Sequence, residues 1–233
     1  MPPEVERAMI AMNMENAPTM TLEDRKQDPF MVLLNVAWMS ILVGLFMQIA
    51  VTVAFQLAGG PAGEWATFVR DAAQKVAWST LVCAGIALGS VISNARIGLV
   101  GLAGMLAAPI AFVIAKTVQK STGTALNAAP PEAMGNAIFI TLIVLRAVEY
   151  GSLGLVLTWL AKQPRAALRG FVGIGLAAGV VFGGAILATL YFNSEPRMPT
   201  PKIALTAVNE ILFPMCCAFV LYASRVFGQM AGK

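Results

Sequence analysis

The chain lacks histidine altogether and has few cysteines and few charged residues for its 233 positions. Without histidine there is no bis-histidine haem, no HExxH metalloprotease and no Ser-His or Cys-His nucleophile pair. Charged residues make up 12% of the chain, about half of the roughly 25% found in soluble domains. These shortages exclude a water-soluble surface of the ordinary kind and several classes of membrane enzyme.

Basic residues outnumber acidic ones by 16 to 12, but they are scattered singly or in twos and threes. No block has the size of a nucleic-acid footprint, so we expect no nucleic-acid partner. Cys83, Cys216 and Cys217 lie inside apolar runs, where a thiol usually behaves as a small buried hydrophobe. The sequence therefore predicts no catalytic residue, no metal site and no cofactor, and it favours a protein that is not an enzyme.

Long uncharged runs are the main feature that is present. Apolar residues make up 58% of the chain, and the mean hydropathy is +0.75. A membrane helix needs about 20 mostly apolar residues, and six runs reach that length. We predict an all-α membrane protein, a polytopic bundle of six transmembrane helices in the lipid bilayer. The predicted spans cover residues 30–58, 76–95, 97–118, 134–161, 170–192 and 203–227.

The segments between the spans contain most of the charge. Lys75 marks the start of the second span, and Lys116 lies at the end of the third. Residues 59–75 and 117–133 contain Gly, Pro, Ser, Thr and Asn, which is typical of loops or short interfacial helices. Residues 1–29 carry both signs of charge and precede the first span, so they form a cytoplasmic segment, in which a weak capping pattern favours a short interfacial helix.

The basic residues also indicate an orientation. Six spans place both termini on one side, and that side holds nine basic residues against six on the other. The compact basic loop at residues 162–169 is the clearest part of this excess. Because cytoplasmic loops are enriched in Lys and Arg, we predict that both termini are cytoplasmic, in a bacterial inner membrane.

Arg146 and Glu149 lie near the middle of the fourth span, with Tyr150 beside them. Residues three apart are neighbours on a helix face. A lone charge at this depth costs at least about 2.5 kcal/mol, so these side chains should face the bundle interior. They predict either a substrate or ion site or an ion-paired clamp that fixes helix packing.

Glu210 in the sixth span follows Asn209 and precedes Pro214, which removes a backbone hydrogen bond and favours a kink. The fourth and sixth spans run in the same direction, so Glu210 can reach Arg146, with Glu149 as a competitor. Two carboxylates sharing one arginine leave one negative charge in excess. That balance predicts a bound cation or proton.

Two predicted spans carry glycines at intervals of four: Gly175, Gly179 and Gly183 in the fifth, and Gly85 and Gly89 in the second. Such a stripe lets helix backbones approach closely. It serves packing within one chain, a homo-oligomer, or a sliding surface in a transporter, and the sequence leaves these three alternatives open.

Two functions fit these patterns. The first is a small transporter or channel in which Arg146, Glu149, Tyr150, Asn209 and Glu210 line a polar site near the membrane midplane. The alternative is a non-catalytic structural or assembly subunit of a larger membrane complex, whose glycine faces receive partner helices. In a transporter the ionisable cluster meets a cavity, whereas in a subunit it is dry and paired.

Overall fold

The computed structural model describes residues 29–92, 97–130, 134–163 and 166–230. The interfacial helix predicted within residues 1–29 lies outside the described residues. The described part of the chain forms six helices and is otherwise made of short connections. The helices are α1 Pro29–Leu57, α2 Trp65–Ile92, α3 Ile97–Ala125, α4 Asn136–Ala161, α5 Leu168–Phe192 and α6 Thr200–Met230.

Five of the six helices are long and apolar enough to cross a membrane: α1, α3, α4, α5 and α6. The helical membrane class predicted from the sequence is therefore supported. Helix α2 has 28 residues, which is also sufficient length, but Arg70, Asp71 and Lys75 lie in its N-terminal half. These charges distinguish it from the other helices.

The helices form a ring in chain order. Each one packs against the next, and α6 closes the ring by packing against α1. Additional contacts join α2, α4 and α6 across the centre. Successive helices are antiparallel, so these three central helices run in the same direction. Side chains on α2, α4 and α6 can therefore meet at one depth inside the bundle.

Two helices are much longer than the predicted spans. Helix α2 begins at Trp65 rather than residue 76, and α3 continues to Ala125 rather than residue 118. Residues 65–75 and 117–125 are thus helical and continue α2 and α3, so they are neither loops nor separate short helices. The reason is that polar side chains here bond to each other across α2 and α3, as when Gln119 Nε2 donates to Asp71 Oδ1 at 2.9 Å. Hydropathy falls at such residues although the helix continues.

The glycines of α5 lie against the backbone of α6. A Cβ built on Gly179 would stand 2.3 Å from the Ile211 carbonyl oxygen, and one on Gly175 would stand 2.6 Å from Met215 Cα. On α2, a Cβ on Gly85 or Gly89 would meet an alanine Cβ of α3 at 2.3 or 2.6 Å. The stripes are occupied by helices of the same chain.

A third close contact joins α3 and α4. A Cβ on Gly104 would lie 2.3 Å from the Tyr150 carbonyl oxygen, and one on Gly154 would lie 3.0 Å from that of Val100. On each helix these glycines form a pair spaced by three rather than a run spaced by four, so their contact was not predicted. The α2–α3 and α3–α4 contacts lie toward one end of the ring, while the α5–α6 contact lies nearer the middle.

Candidate functional site

An ion pair between α4 and α6 lies at the centre of the bundle. Arg146 Nη2 donates to both Glu210 carboxylate oxygens, at 2.8 and 2.9 Å. Each residue lies ten positions after the start of its helix, which is a depth of about 15 Å along the axis. The two side chains are level because α4 and α6 run in the same direction.

Aromatic rings support the guanidinium. Its Cζ atom lies 4.7 Å from the ring centroid of Trp78 on α2 and 5.6 Å from that of Phe112 on α3. A cation over an aromatic face gains electrostatic attraction that partly replaces lost hydration. Trp78 is itself buried and makes edge contacts with Tyr150 and Phe213. These rings hold Arg146 in position from two further helices.

Glu149 and Tyr150 lie behind the ion pair, and both are completely buried. Glu149 Oε2 is 3.9 Å from Arg146 Nη1. Among the described residues, neither Glu149 oxygen nor the Tyr150 hydroxyl has a hydrogen-bond partner. Arg146 is therefore bonded to Glu210, while Glu149 stands within reach as the second carboxylate.

The ion pair opens onto a cavity of about 180 Å³. Helices α2 to α6 all contribute to its wall. Arg146, Asn209 and Glu210 line it, whereas Glu149 and Tyr150 do not. The other lining residues are Gln74, Lys75, Trp78, Phe112, Ala115, Lys116, Met134, Leu142, Ile186, Leu190, Leu205, Thr206 and Phe213.

We call the half of the bundle that holds the N-terminal ends of α2, α4 and α6 the cavity half. The half that holds their C-terminal ends, with most of the glycine contacts, is the seam half. The contact between Gly170 of α5 and Leu160 of α4 lies at the end of the seam half, beside the loop that joins these helices. At the other end of α4 and α5, Leu142 and Leu190 face the cavity.

Two lysines reverse the expected charge of the site. Lys75 lies ten residues from the start of α2 and Lys116 nine from the end of α3, level with the ion pair. The cavity is lined by three cationic side chains, Lys75, Lys116 and Arg146, and one carboxylate, Glu210. Counting the buried Glu149 as well still leaves one positive charge in excess. The negative excess expected from the sequence is wrong, because that balance omitted both lysines.

Asp71 acts electrostatically on both lysines but forms no ion pair with either of them. It accepts a hydrogen bond from Arg70 Nε at 2.8 Å and one from Gln119 Nε2 at 2.9 Å. Arg70 Nη1 also donates to the Ala129 carbonyl oxygen, which ties α2 to the segment after α3. Asp71 is thus paired with Arg70, and the two form a neutral unit beside the cavity.

Three neighbours position Glu210. Asn209 Nδ2 donates to Glu210 Oε1 at 3.0 Å. Pro214 has no N–H, so the Glu210 carbonyl lacks its usual intrahelical donor. A Cβ on Gly183 would lie 2.8 Å from Glu210 Cβ, so α5 packs directly against this point. The carboxylate is therefore bonded by Asn209, and its residue packs against α5 at a point where the backbone of α6 lacks one hydrogen bond.

The chain matches no family profile, no curated protein and no solved structure. The structure brings together Arg146, Asn209 and Glu210 of the predicted site residues, with Glu149 and Tyr150 adjoining them. Sequence reasoning missed Lys75, Lys116 and Trp78. One pattern in the sequence could have indicated the lysines. Polar residues at positions 71 and 75, and at 116 and 119, have helical spacing, which predicts that the helices extend beyond the apolar runs.

Proposed function

We propose that this protein is a small integral membrane transporter whose substrate site is the cavity between α2 and α6. The observation that supports this is the contact between the buried ion pair and a cavity of about 180 Å³. Such a volume has room for on the order of ten water molecules. A purely structural clamp would be enclosed by packed side chains.

The proposal includes six membrane spans, with α2 as the sixth, in a bacterial inner membrane and with both termini in the cytoplasm. The cavity half then faces the periplasm. Two of the six basic residues assigned to the outside by the span count, Lys75 and Lys116, lie at the cavity instead of in loops. Without them the basic residues number nine inside and four outside, which supports this orientation by the positive-inside rule.

The two carboxylates near Arg146 supply a mechanism for switching. Arg146 is bonded to Glu210 at 2.8 Å and lies 3.9 Å from Glu149. A shift of the guanidinium toward Glu149 would release Glu210 and α6 while keeping the arginine paired. A transporter needs two discrete arrangements of this kind. We propose that substrate in the cavity changes the balance between the two pairs.

A structural subunit remains the competing function, and the fully formed Arg146–Glu210 pair is the observation that favours it. In that role the pair would join α4 to α6 without binding a solute. The glycine stripes of α2 and α5, however, already pack against α3 and α6 of the same chain. A second copy or a partner subunit would therefore have to bind through other, lipid-facing surfaces such as that of α1.

Thiol accessibility separates the two functions. Thr206 lines the cavity, and Thr158 lies in the seam half; both side chains belong to residues that are 8% exposed. Thr206→Cys and Thr158→Cys are matched variants, and the unsubstituted chain gives the background of the three buried native cysteines. We expect a membrane-impermeant thiol reagent to modify the cysteine at position 206, but not that at 158, in intact cells and also in inverted vesicles.

Modification from both faces is the result expected of a site with alternating access. Modification at position 206 from neither face would show a dry clamp and would favour the subunit. Modification from the periplasmic face alone would show a binding pocket without transport. Either of these two results would overturn the transporter proposal.

A further inference from the structure

We infer that the cavity binds a small organic carboxylate, with its anionic group between Lys75, Lys116 and Arg146 and its apolar part against the aliphatic side chains of the lining. This inference rests on the proposed function, in which the cavity is the substrate site, and it names the class of substrate. It also reverses the expectation of a cation or proton drawn from Arg146, Glu149 and Glu210 alone.

The first step is the charge of the wall. Three cations and one carboxylate face the cavity at the same depth. Glu210 is already bonded to Arg146 at 2.8 Å and to Asn209 at 3.0 Å. Neither lysine forms an ion pair with a carboxylate of the described residues, although Asp71, which is bonded to Arg70, acts electrostatically on both. In a site of reduced dielectric, like charges on neighbouring helices favour an anion between them.

The second step is the supply of hydrogen-bond donors. Within the described ranges, the Lys116 ammonium donates only to Gln119 Oε1, at 3.3 Å. No hydrogen bond or ion pair to the Lys75 ammonium is found in the same part of the chain. Each ammonium has three donors, so most of the donors at this wall are available to a ligand. A carboxylate offers up to about four acceptor positions and matches that supply.

Much of the remaining lining is aliphatic. Leu142, Ile186, Leu190 and Leu205 line the cavity on α4, α5 and α6. Cavities of about 150 Å³ with such a lining hold a benzene-sized molecule. The cavity of about 180 Å³ thus fits a compact carboxylate with an apolar body better than a bare inorganic anion.

Equilibrium binding to the purified full-length chain tests this inference, with benzoate, benzylamine and acetate as probes. Benzoate has the expected charge and body, benzylamine has the opposite charge, and acetate lacks the apolar ring. We expect benzoate to bind at least about tenfold more tightly than acetate and benzylamine not to bind. Lys75→Gln and Lys116→Gln should each weaken benzoate binding by about tenfold or more, because each removes a charge-assisted contact.

Lys120→Gln is the matched control, because Lys120 is on the same helix as Lys116 but is exposed and does not line the cavity. Benzoate affinity should be unchanged in this variant. Circular dichroism and the melting temperature of each variant establish that it is folded. If Lys75→Gln does not fold, Lys116→Gln provides the same test from α3.

Binding of benzylamine instead of benzoate would overturn the inference, as would benzoate binding that is insensitive to both lysines. Acetate or inorganic phosphate binding as tightly as benzoate would overturn the part that concerns the apolar body. These failures are distinct from failure of the proposed function. Thr206→Cys reports access to the cavity whatever ligand it takes, so a modified cysteine without benzoate binding rejects only the carboxylate.

Discussion

The two halves of the bundle join their helices in different ways. In the seam half, backbones approach so closely that an added Cβ at Gly85 or Gly104 would lie 2.3 Å from an atom of the next helix. In the cavity half, long side chains such as Arg146 and Lys75 fill part of the space between helices and leave a cavity. Close contact fixes the ring at one end, while the other end keeps polar side chains and open volume.

This difference follows from side-chain length. Glycine contacts hold two backbones at one separation, and they gain van der Waals packing without polar groups. An ion pair spans a larger gap and must be satisfied inside the bundle, because its charges cannot face lipid. The seam half is closely packed, whereas the cavity half contains open volume. We therefore expect any ligand-dependent movement of the helices to be confined to the cavity half.

Substitution in the glycine contact between α5 and α6 should have the most severe effect. Gly179→Leu should destabilise the folded chain by more than about 4 kcal/mol, since a bulky side chain cannot enter a backbone contact. Denaturation in detergent and recovery of monodisperse protein would measure it. Gly173→Leu is the control on the same helix, because Gly173 is exposed and a Cβ there meets nothing within 4 Å. Equal stability of both variants would contradict the assigned α5–α6 contact.

Next in size is loss of the central cation. Arg146→Met leaves Glu210 and Glu149 buried without the positive charge of the guanidinium, and we expect a loss of about 3 to 5 kcal/mol in the free energy of unfolding. Adding Glu210→Gln should restore part of the loss, because Glu210 accepts the short hydrogen bonds. Stronger rescue by Glu149→Gln would assign the pair to α4 alone. Wild-type stability of Arg146→Met would show that no buried pair exists.

A smaller effect distinguishes the two carboxylates. Glu149→Gln should leave stability unchanged or raise it by about 1 kcal/mol, because a buried carboxylate without hydrogen bonds is replaced by a neutral group. Glu210→Gln should lower stability, since it removes both acceptors from Arg146. The two melting temperatures, measured in the same detergent, compare a bonded with an unbonded carboxylate. The reverse order would contradict the observed pairing.

The smallest effect concerns Lys75. In the absence of ligand, Lys75→Gln should raise the free energy of unfolding by about 0.5 kcal/mol, because it removes a buried ammonium that forms no ion pair within the described residues. Lys120→Gln should have no such effect, since its side chain is exposed. A loss of stability in Lys75→Gln equal to that of an ion-pair variant would mean that Lys75 has a structural role.

The sequence predicted the helical membrane class, and it singled out Arg146 and Glu210 because a charge inside an apolar run is conspicuous. It did not predict the lysines of the site. Lys75 and Lys116 stand next to apolar runs, where a hydropathy count treats them as the ends of spans. Only the helix bounds at Trp65 and Ala125 place them inside the bundle. A lysine at the end of a span and a lysine inside the bundle differ in which side chains they meet on other helices. A hydropathy profile of one chain does not contain that information.

The α3–α4 contact was missed for a related reason. Gly101 and Gly104 on one helix face Gly151 and Gly154 on the next, and neither pair alone forms a long stripe. Their significance depends on the antiparallel pairing of the two helices, which brings Gly104 to the Tyr150 carbonyl and Gly154 to that of Val100. The spacing of glycines along one helix predicts a close contact only when all the glycines of that contact lie on the same helix.

The charge dependence of thiol modification can show whether the cavity is open to water and positively charged. Thr206→Cys is treated with an anionic and a cationic methanethiosulfonate of similar size, and Gly63→Cys in the exposed α1–α2 connection gives the reference ratio of rates. We expect the anionic reagent to be favoured at position 206 by about tenfold relative to position 63. Absence of reaction at position 206 would show that the cavity is closed to water. A preference there for the cationic reagent would show that the cavity is not positively charged.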